Sequence, residues 1–295
     1  MKLNRRNFIY QLSSGAAALS LLPLSHTSYA KLGSKMQFGL VTYLWAKDWP
    51  LPILIENCEK SGVEAVELRV DHAHNVSPAM NAEERAVVKK QFEQSNVKVM
   101  GMGTNAQFDN PDPEVLKKNI EEAKQYIKLS HDIGGTGVKV KPNQFHDGVS
   151  EEKTLEQIGN ALNQIGAFGA DFGQQIRLEV HGRGTQLLPH IKKIMDVADN
   201  PNVTVCWNCN DQDLEGEGLT HNFNLVKHKF GDTVHVREFN VGDYPYQQLF
   251  DLLVKMDYQG YILMEARTDP EDKVAALIEQ RKLMQGMISK AQQKL

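Results

Sequence analysis

The chain has 295 residues and a formal net charge of −4, and 41% of its residues are hydrophobic. Because Lys and Arg are scattered rather than clustered, the charge pattern does not indicate a nucleic-acid or membrane-surface partner. Three cysteines, Cys58, Cys206 and Cys209, make no disulfide framework, and the length suits a single large α/β domain.

Residues 1–30 have the pattern of an export signal. Arg5 and Arg6 precede a mildly apolar stretch over residues 15–24, which closes on Ser28-Tyr29-Ala30. The stretch is too short to span a bilayer, and its flanks are typical of a cleaved twin-arginine signal rather than of a disordered basic tail. We therefore expect a periplasmic protein without stable membrane association. Its substrate should be unphosphorylated, because phosphorylated sugars are not normally supplied in that compartment.

Short apolar segments alternate with amphipathic helical segments over residues 36–295. This alternation is typical of repeated βα units and a parallel sheet. No linker or change of composition interrupts it, so we predict one (β/α)8 TIM barrel, with catalytic residues at the C-terminal ends of its strands. The predicted strands are 38–45, 63–69, 97–102, 137–141, 176–180, 203–207, 234–239 and 261–266; the predicted helices are 51–61, 82–94, 112–133, 154–172, 185–198, 223–230, 246–256 and 270–292.

Four potential metal ligands, Glu179, Asn208, His235 and Glu265, recur at intervals of about 30 residues, each near the end of a predicted strand. Two carboxylates, an imidazole and an amide oxygen suit Mn²⁺, Mg²⁺ or Co²⁺, with Zn²⁺ possible. A metal ion there would polarise a sugar carbonyl, and the carboxylates would be candidates for general base and acid. The pattern therefore favours proton abstraction next to a carbonyl.

Side chains alternate between the two faces of a strand, so the inward residues can be separated from the others. Glu67 shares a face with Arg69, and Lys139 shares a face with Lys141. Buried charges must be paired, so these residues neutralise one another, bind a metal or meet a polar substrate.

Four segments resemble the strand ends of the xylose isomerase-like TIM barrel superfamily, in particular its sugar phosphate isomerase/epimerase and ketose 3-epimerase branch. The resemblance implies that the quartet binds a metal, and that Glu179 and Glu265 transfer protons on opposite faces of the substrate. Asn208 departs from the usual Asp, which weakens metal binding, and Asp211 is an alternative ligand or a substrate contact. The segments are Leu178-Glu179-Val180-His181-Gly182, Trp207-Asn208-Cys209-Asn210-Asp211, Val234-His235-Val236-Arg237-Glu238 and Met264-Glu265-Ala266-Arg267.

Further substrate contacts are expected from Lys141, His181, Arg237 and Arg267, and from Trp45 by stacking on a sugar ring. Each has a structural alternative. Lys141 could only neutralise Glu67 or Glu179, Arg237 could be a packed salt-bridge partner, and Trp45 could belong to the barrel packing.

The leading hypothesis is a metal-dependent sugar isomerase or epimerase acting on a small carbohydrate. The first alternative is a lyase or hydratase that cleaves 3-keto-glycosides after the same proton abstraction. The second is a non-catalytic periplasmic sugar-binding protein, for which the expected two lobes and hinge are missing from the pattern. A homo-oligomer remains possible, and the sequence does not identify the sugar.

Overall fold

The structure, a computed structural model, describes residues 31–295. The export signal expected in residues 1–30 lies outside the described residues. Within the described part, eight strands and eight α-helices alternate, and the parallel strands form a closed barrel in chain order, with β8 paired to β1. The predicted (β/α)8 barrel is confirmed. No helix among these residues is both long and apolar enough to cross a membrane.

The strands and helices have the following bounds. The strands are β1 (Gln37–Val41), β2 (Ala65–Arg69), β3 (Lys98–Gln107), β4 (Gly137–Lys141), β5 (Gln175–Glu179), β6 (Val203–Asn208), β7 (Phe230–Val236) and β8 (Tyr261–Met264). The helices are α1 (Leu51–Ser61), α2 (Ala82–Glu93), α3 (Pro113–Asp132), α4 (Glu151–Ala170), α5 (Leu188–Val197), α6 (Leu219–Val226), α7 (Tyr246–Lys255) and α8 (Lys273–Gln292).

Polar side chains fix the start of several helices. Asn81, Asp112, Ser150 and Asp272 each accept a hydrogen bond from a backbone N–H in the first turn of the following helix. Such caps satisfy donors that the helix itself leaves free. The helical periodicity predicts that α8 begins at residue 270. The cap at Asp272 explains why the helix begins after that residue instead.

Two boundaries differ from the prediction in ways that affect the site. β1 ends at Val41 rather than at residue 45, so the chain turns before Trp45. β7 begins at Phe230, which the periodicity had assigned to the preceding helix. The ring of Phe230 packs 5.1 Å from that of Phe223 and 5.8 Å from that of Trp207, measured between centroids. Tertiary packing of three aromatic rings therefore decides this boundary.

The barrel interior contains a small apolar cluster and a layer of charged side chains. Val41, Ala65, Met100, Tyr261 and Leu263 form a small apolar cluster, separate from the main core between barrel and helices. Above it, toward the C-terminal ends of the strands, the buried side chains are ionisable. The main core covers the outside of the strands, and the charged layer lies at the mouth of the barrel.

One glycine makes room for this charged layer. A Cβ atom on Gly103 in β3 would lie 2.5 Å from Oε1 of Glu67 on the neighbouring strand. Any side chain at this position would displace the carboxylate, so the absence of one allows Glu67 to lie inside the barrel.

Candidate active site

A cavity of about 90 Å³ opens at the C-terminal ends of the strands. It brings together five residues predicted from the sequence, and it adds three that were not proposed as site residues. The predicted residues are Lys141, Glu179, His181, Glu265 and Arg267, and the additional ones are Tyr43, Arg69 and Lys139. Larger hollows exist elsewhere on the surface, but this one contains the predicted acid–base pair.

Glu179 is surrounded by donors from the chain itself. Lys139 Nζ lies 2.7 Å from its Oε2, and both side chains are buried. Asn208 Nδ2 donates to Oε1 at 2.8 Å, and His235 Nδ1 lies 3.5 Å from the same oxygen. Burial tends to raise the pKa of Glu179, but Lys139 and His235 outweigh it and hold that pKa well below its usual range. Glu179 is therefore ionised at neutral pH.

Glu67 orients His235 from the opposite side. Its Oε2 lies 3.4 Å from His235 Nε2, and both groups are buried. Burial disfavours the charged form of both Glu67 and His235, but the attraction between them outweighs this effect. The positive charge of Lys139 also favours the ionised form of Glu67. The pKa of Glu67 is lowered, and that of His235 is raised by Cys206, Glu67 and Glu179. A carboxylate on one ring nitrogen leaves the other nitrogen directed at Glu179, as in many metal-binding histidines.

Glu265 follows β8 and has different surroundings from Glu179. Its side chain is only partly enclosed, and its carboxylate makes no hydrogen bond within the described residues. Burial, and then the negative charge of Glu179, raise its pKa, while His235 and Lys139 oppose the rise. The two carboxylates thus have pKa values displaced in opposite directions, an arrangement that separates a base from an acid.

The residues fit a divalent cation. Three potential ligand atoms lie within 4.8 Å of one another, one each from Glu179, His235 and Glu265. Asn208 Oδ1 and His235 Nδ1 are buried without a hydrogen-bond partner in residues 31–295, so an ion between them would satisfy both. Carboxylate and imidazole ligands are compatible with several divalent metals. Glu179 already accepts hydrogen bonds from Lys139 Nζ and Asn208 Nδ2, and Lys139 neutralises its charge.

Asn208 is buried at the end of β6, where it is in register with His235 on β7. Asp211, the predicted alternative ligand, lies three residues further on and is exposed at the start of a 3₁₀ turn, Asp211–Leu214. The turn carries it away, so the structure does not bring Asp211 to the cavity. Asp213 is the buried acid of this turn, and it accepts a hydrogen bond from the Tyr244 hydroxyl at 2.7 Å.

The stacking role predicted for Trp45 is wrong. Only 2% of its surface is exposed, it belongs to the main core, and its Nε1 donates to the Thr268 carbonyl at 3.0 Å. Because β1 ends before Trp45, the ring turns into the packing instead of facing the mouth.

Arg237 is also outside the cavity lining, and its Nη2 donates to Asn210 Oδ1 at 2.8 Å. It ties two loops together rather than facing a substrate.

The partner of Glu179 also differs from the one considered in the sequence. Lys139, and not Lys141, neutralises it; Lys141 Nζ donates to Asn105 Oδ1 at 3.1 Å and faces the cavity. Strand alternation contained the signal for Glu67, Arg69 and Lys139, which lie on inward faces. Nothing comparable marked Tyr43, which follows the end of its strand.

Comparison with known proteins defines the class. Residues 55–285 match the family model described as xylose isomerase-like TIM barrel, and the chain belongs to that family. It is 22% identical over 276 residues to an inosose dehydratase of Bacillus thuringiensis (strain Al Hakam), covering 80% of this chain and 91% of the relative.

Two further relatives are epimerases. A putative L-ribulose-5-phosphate 3-epimerase, SgbU, of Haemophilus influenzae is 24% identical over 259 residues, covering 78% of this chain and 88% of the relative. The solved structure of an L-ribulose 3-epimerase superposes with a TM-score of 0.76 at 15% identity, covering 88% and 96% of the two chains. The relatives are thus epimerases and a dehydratase, which supports an enzymatic role for this chain.

Proposed function

We propose that the protein is a sugar isomerase or epimerase that moves a proton on the carbon next to a carbonyl. One observation carries the proposal: Glu179 and Glu265 line a single cavity, and their pKa values are displaced in opposite directions. The epimerase relatives act on sugars by name, which supports a small carbohydrate as the substrate.

The chain's own residues divide the work. Glu179, held ionised by Lys139 and His235, accepts the proton from the substrate C–H. Glu265, whose pKa is raised, returns a proton on the other side of the substrate. Glu179, Asn208, His235 and Glu265 would hold a divalent cation, which would polarise the carbonyl and acidify the C–H. That assistance offsets the weak basicity of a carboxylate with a lowered pKa.

Hydrogen exchange tests this proposal directly. With a ketose substrate in deuterated water, the wild type should incorporate deuterium at the carbon beside the carbonyl. Glu179→Gln and Glu265→Gln should each slow this exchange by roughly 10²–10⁴-fold. Glu271→Gln, an exposed carboxylate in the loop after β8, is the matched control. If the wild type binds sugar but exchanges no C–H, a sugar-binding protein is supported instead.

A lyase or hydratase acting on 3-keto-glycosides is the second candidate. After the same proton abstraction, a protonated Glu265 can deliver its proton to a departing oxygen, and the inosose dehydratase relative is an enzyme named for such an elimination. Product analysis with a 3-keto-glucoside separates the candidates. Released aglycone supports the lyase, whereas an epimer without aglycone supports the epimerase.

We also propose export to the periplasm through the twin-arginine route, on the pattern of residues 1–30. The mature protein recovered from the periplasm should begin at Lys31. An intact N-terminus in the cytoplasmic fraction would contradict this.

A further inference from the structure

We propose that Arg69, Lys141 and Arg267, the mouth cations, form an anion subsite, and that the substrate is a sugar that carries a carboxylate. The inference rests on the proposed function, because it names the substrate class of the same cavity. All three side chains line the cavity together with Glu265.

The mouth cations have no acidic partner in the described structure. No ion pair within residues 31–295 includes any of them. The deeper cations of the barrel are paired, since Lys139 contacts Glu179 at 2.7 Å and Arg177 contacts Asp232 at 3.6 Å. The chain therefore holds its interior cations in ion pairs and leaves the mouth cations without one among the described residues.

Two of the mouth cations share one neutral acceptor. Arg69 Nη2 and Lys141 Nζ donate to the same Asn105 Oδ1, at 3.3 and 3.1 Å. Arg69 Nε is buried and has no hydrogen-bond partner in residues 31–295. Two positive groups held this close repel each other, and an amide oxygen cannot neutralise them.

Lys141 shows that this arrangement is costly. Its pKa is lowered to about 8, first by burial and then by the positive charge of Lys139, with Arg69 acting in the same direction and the carboxylates of Glu179 and Glu265 opposing them. An anion bound between Arg69 and Lys141 would offset the repulsion between these cations. Charge-assisted hydrogen bonds to a carboxylate are stronger than those to a neutral hydroxyl, so the cavity favours an acidic sugar over its neutral parent.

Arg267 is held in place by a carboxylate that does not neutralise it. Glu238 is buried and accepts from the Arg267 backbone N–H at 3.0 Å and from the Thr268 backbone N–H at 2.7 Å. This carboxylate fixes the loop after β8, while the guanidinium itself remains exposed at the cavity. The loop thus positions a cation whose partner has to come from outside the chain.

A carboxylate and a phosphate share the oxyanion chemistry that such a subsite recognises. The proposed export of the chain favours the carboxylate. Binding should therefore be measured by calorimetry for D-glucuronate and D-galacturonate, for their neutral parents D-glucose and D-galactose, and for D-glucose 6-phosphate. At least one uronate should bind about tenfold more tightly than its neutral parent, and added salt should reduce the difference.

Arg69→Gln, Lys141→Gln and Arg267→Gln supply the residue-level test. Each should weaken uronate binding by about tenfold, and by more than it weakens binding of the neutral parent. Arg183→Gln is the matched control, because Arg183 is exposed in the loop after β5 but does not line the cavity. It should leave uronate binding unchanged.

Three results would overturn the proposal. The first is equal binding of acid and neutral sugars, and the second is an equal loss in Arg183→Gln, which would indicate a diffuse surface field. The third is binding of glucose 6-phosphate alone through the mouth cations, which would assign the subsite to phosphate. Uronate binding without C–H exchange would refute the proposed reaction but support the anion subsite. C–H exchange on neutral sugars with the same kcat/KM as on uronates would support the reaction but refute the subsite.

Discussion

The two carboxylates that we propose to be catalytic, Glu179 and Glu265, lie in contrasting halves of one site. The inner half consists of Glu67, Lys139, Glu179 and His235, which are buried and paired with one another. The outer half consists of Glu265 and the mouth cations, which face the cavity and form no ion pair in the described residues. Folding pairs the charges of the inner half with one another, whereas the mouth cations of the outer half have no ion-pair partner within residues 31–295. On the proposal above, these unpaired cations are where the substrate is recognised.

Loss of the inner cation should have the largest effect on stability. Lys139→Met leaves Glu179 ionised and buried without its main partner, so the free energy of unfolding should fall by about 3–5 kcal/mol. Urea denaturation monitored by circular dichroism measures this change. Lys141→Met is a control on the same face of the same strand, and it should cost less than about 1 kcal/mol because Lys141 has no ion pair to lose. Equal losses would remove the distinction between the two halves.

The contrast between these two lysines shows where sequence reasoning ends. The barrel and the proximity of Glu179, His235 and Glu265 could be predicted, because periodicity and strand ends are local properties of the chain. Strand alternation placed Lys139 and Lys141 on one face but could not rank their depth. The structure does so: Lys139 is 1% exposed and in line with Gly103 and Arg177, whereas Lys141, two residues nearer the mouth, is only partly buried.

Two other errors have the same origin. Trp45 was assigned to the mouth because its segment continued a strand pattern, but the strand ends earlier and the ring packs into the core. Asp211 was chosen by its distance in sequence from Asn208, and the 3₁₀ turn directs it to solvent. Turns after strands are decided by tertiary contacts, and short sequence patterns do not record these contacts.

The second prediction concerns the amide of the inner half. Asn208→Asp restores a negative ligand and should raise the affinity for Mn²⁺ by roughly 10–100-fold, because ligand charge tunes cation affinity. Without metal, the new carboxylate would face Glu179 where the amide now donates at 2.8 Å, so the metal-free protein should be less stable. Calorimetry and melting temperatures with and without Mn²⁺ measure both changes.

Asn75→Asp is the control for this substitution, since it adds the same charge at an exposed loop position. It should change neither metal affinity nor stability appreciably. If Asn208→Asp binds Mn²⁺ no better than the wild type, residue 208 is not a ligand.

The third prediction is a pH dependence of metal binding. The pKa of His235 is raised well above its usual value, so the ring is protonated at neutral pH in the metal-free protein. A metal ion must displace that proton, and its affinity should therefore increase with pH up to the raised pKa, by about tenfold per pH unit at most. Titrations from about pH 6 to about pH 8, in buffers with different protonation enthalpies, measure the released proton. A flat affinity would show that His235 is not a ligand.

The smallest expected effects separate two neighbouring aromatic residues. Trp45→Phe removes the hydrogen bond to the Thr268 carbonyl and should lower the free energy of unfolding by about 1 kcal/mol, with KM unchanged. Tyr43→Phe removes a hydroxyl from the cavity lining and should raise KM by roughly 2–10-fold with little loss of stability. Urea denaturation and steady-state kinetics on the same preparations give both readouts. If Trp45→Phe raised KM as much as Tyr43→Phe, the ring of Trp45 would be contacting substrate after all, and the boundary between core and cavity would have to move.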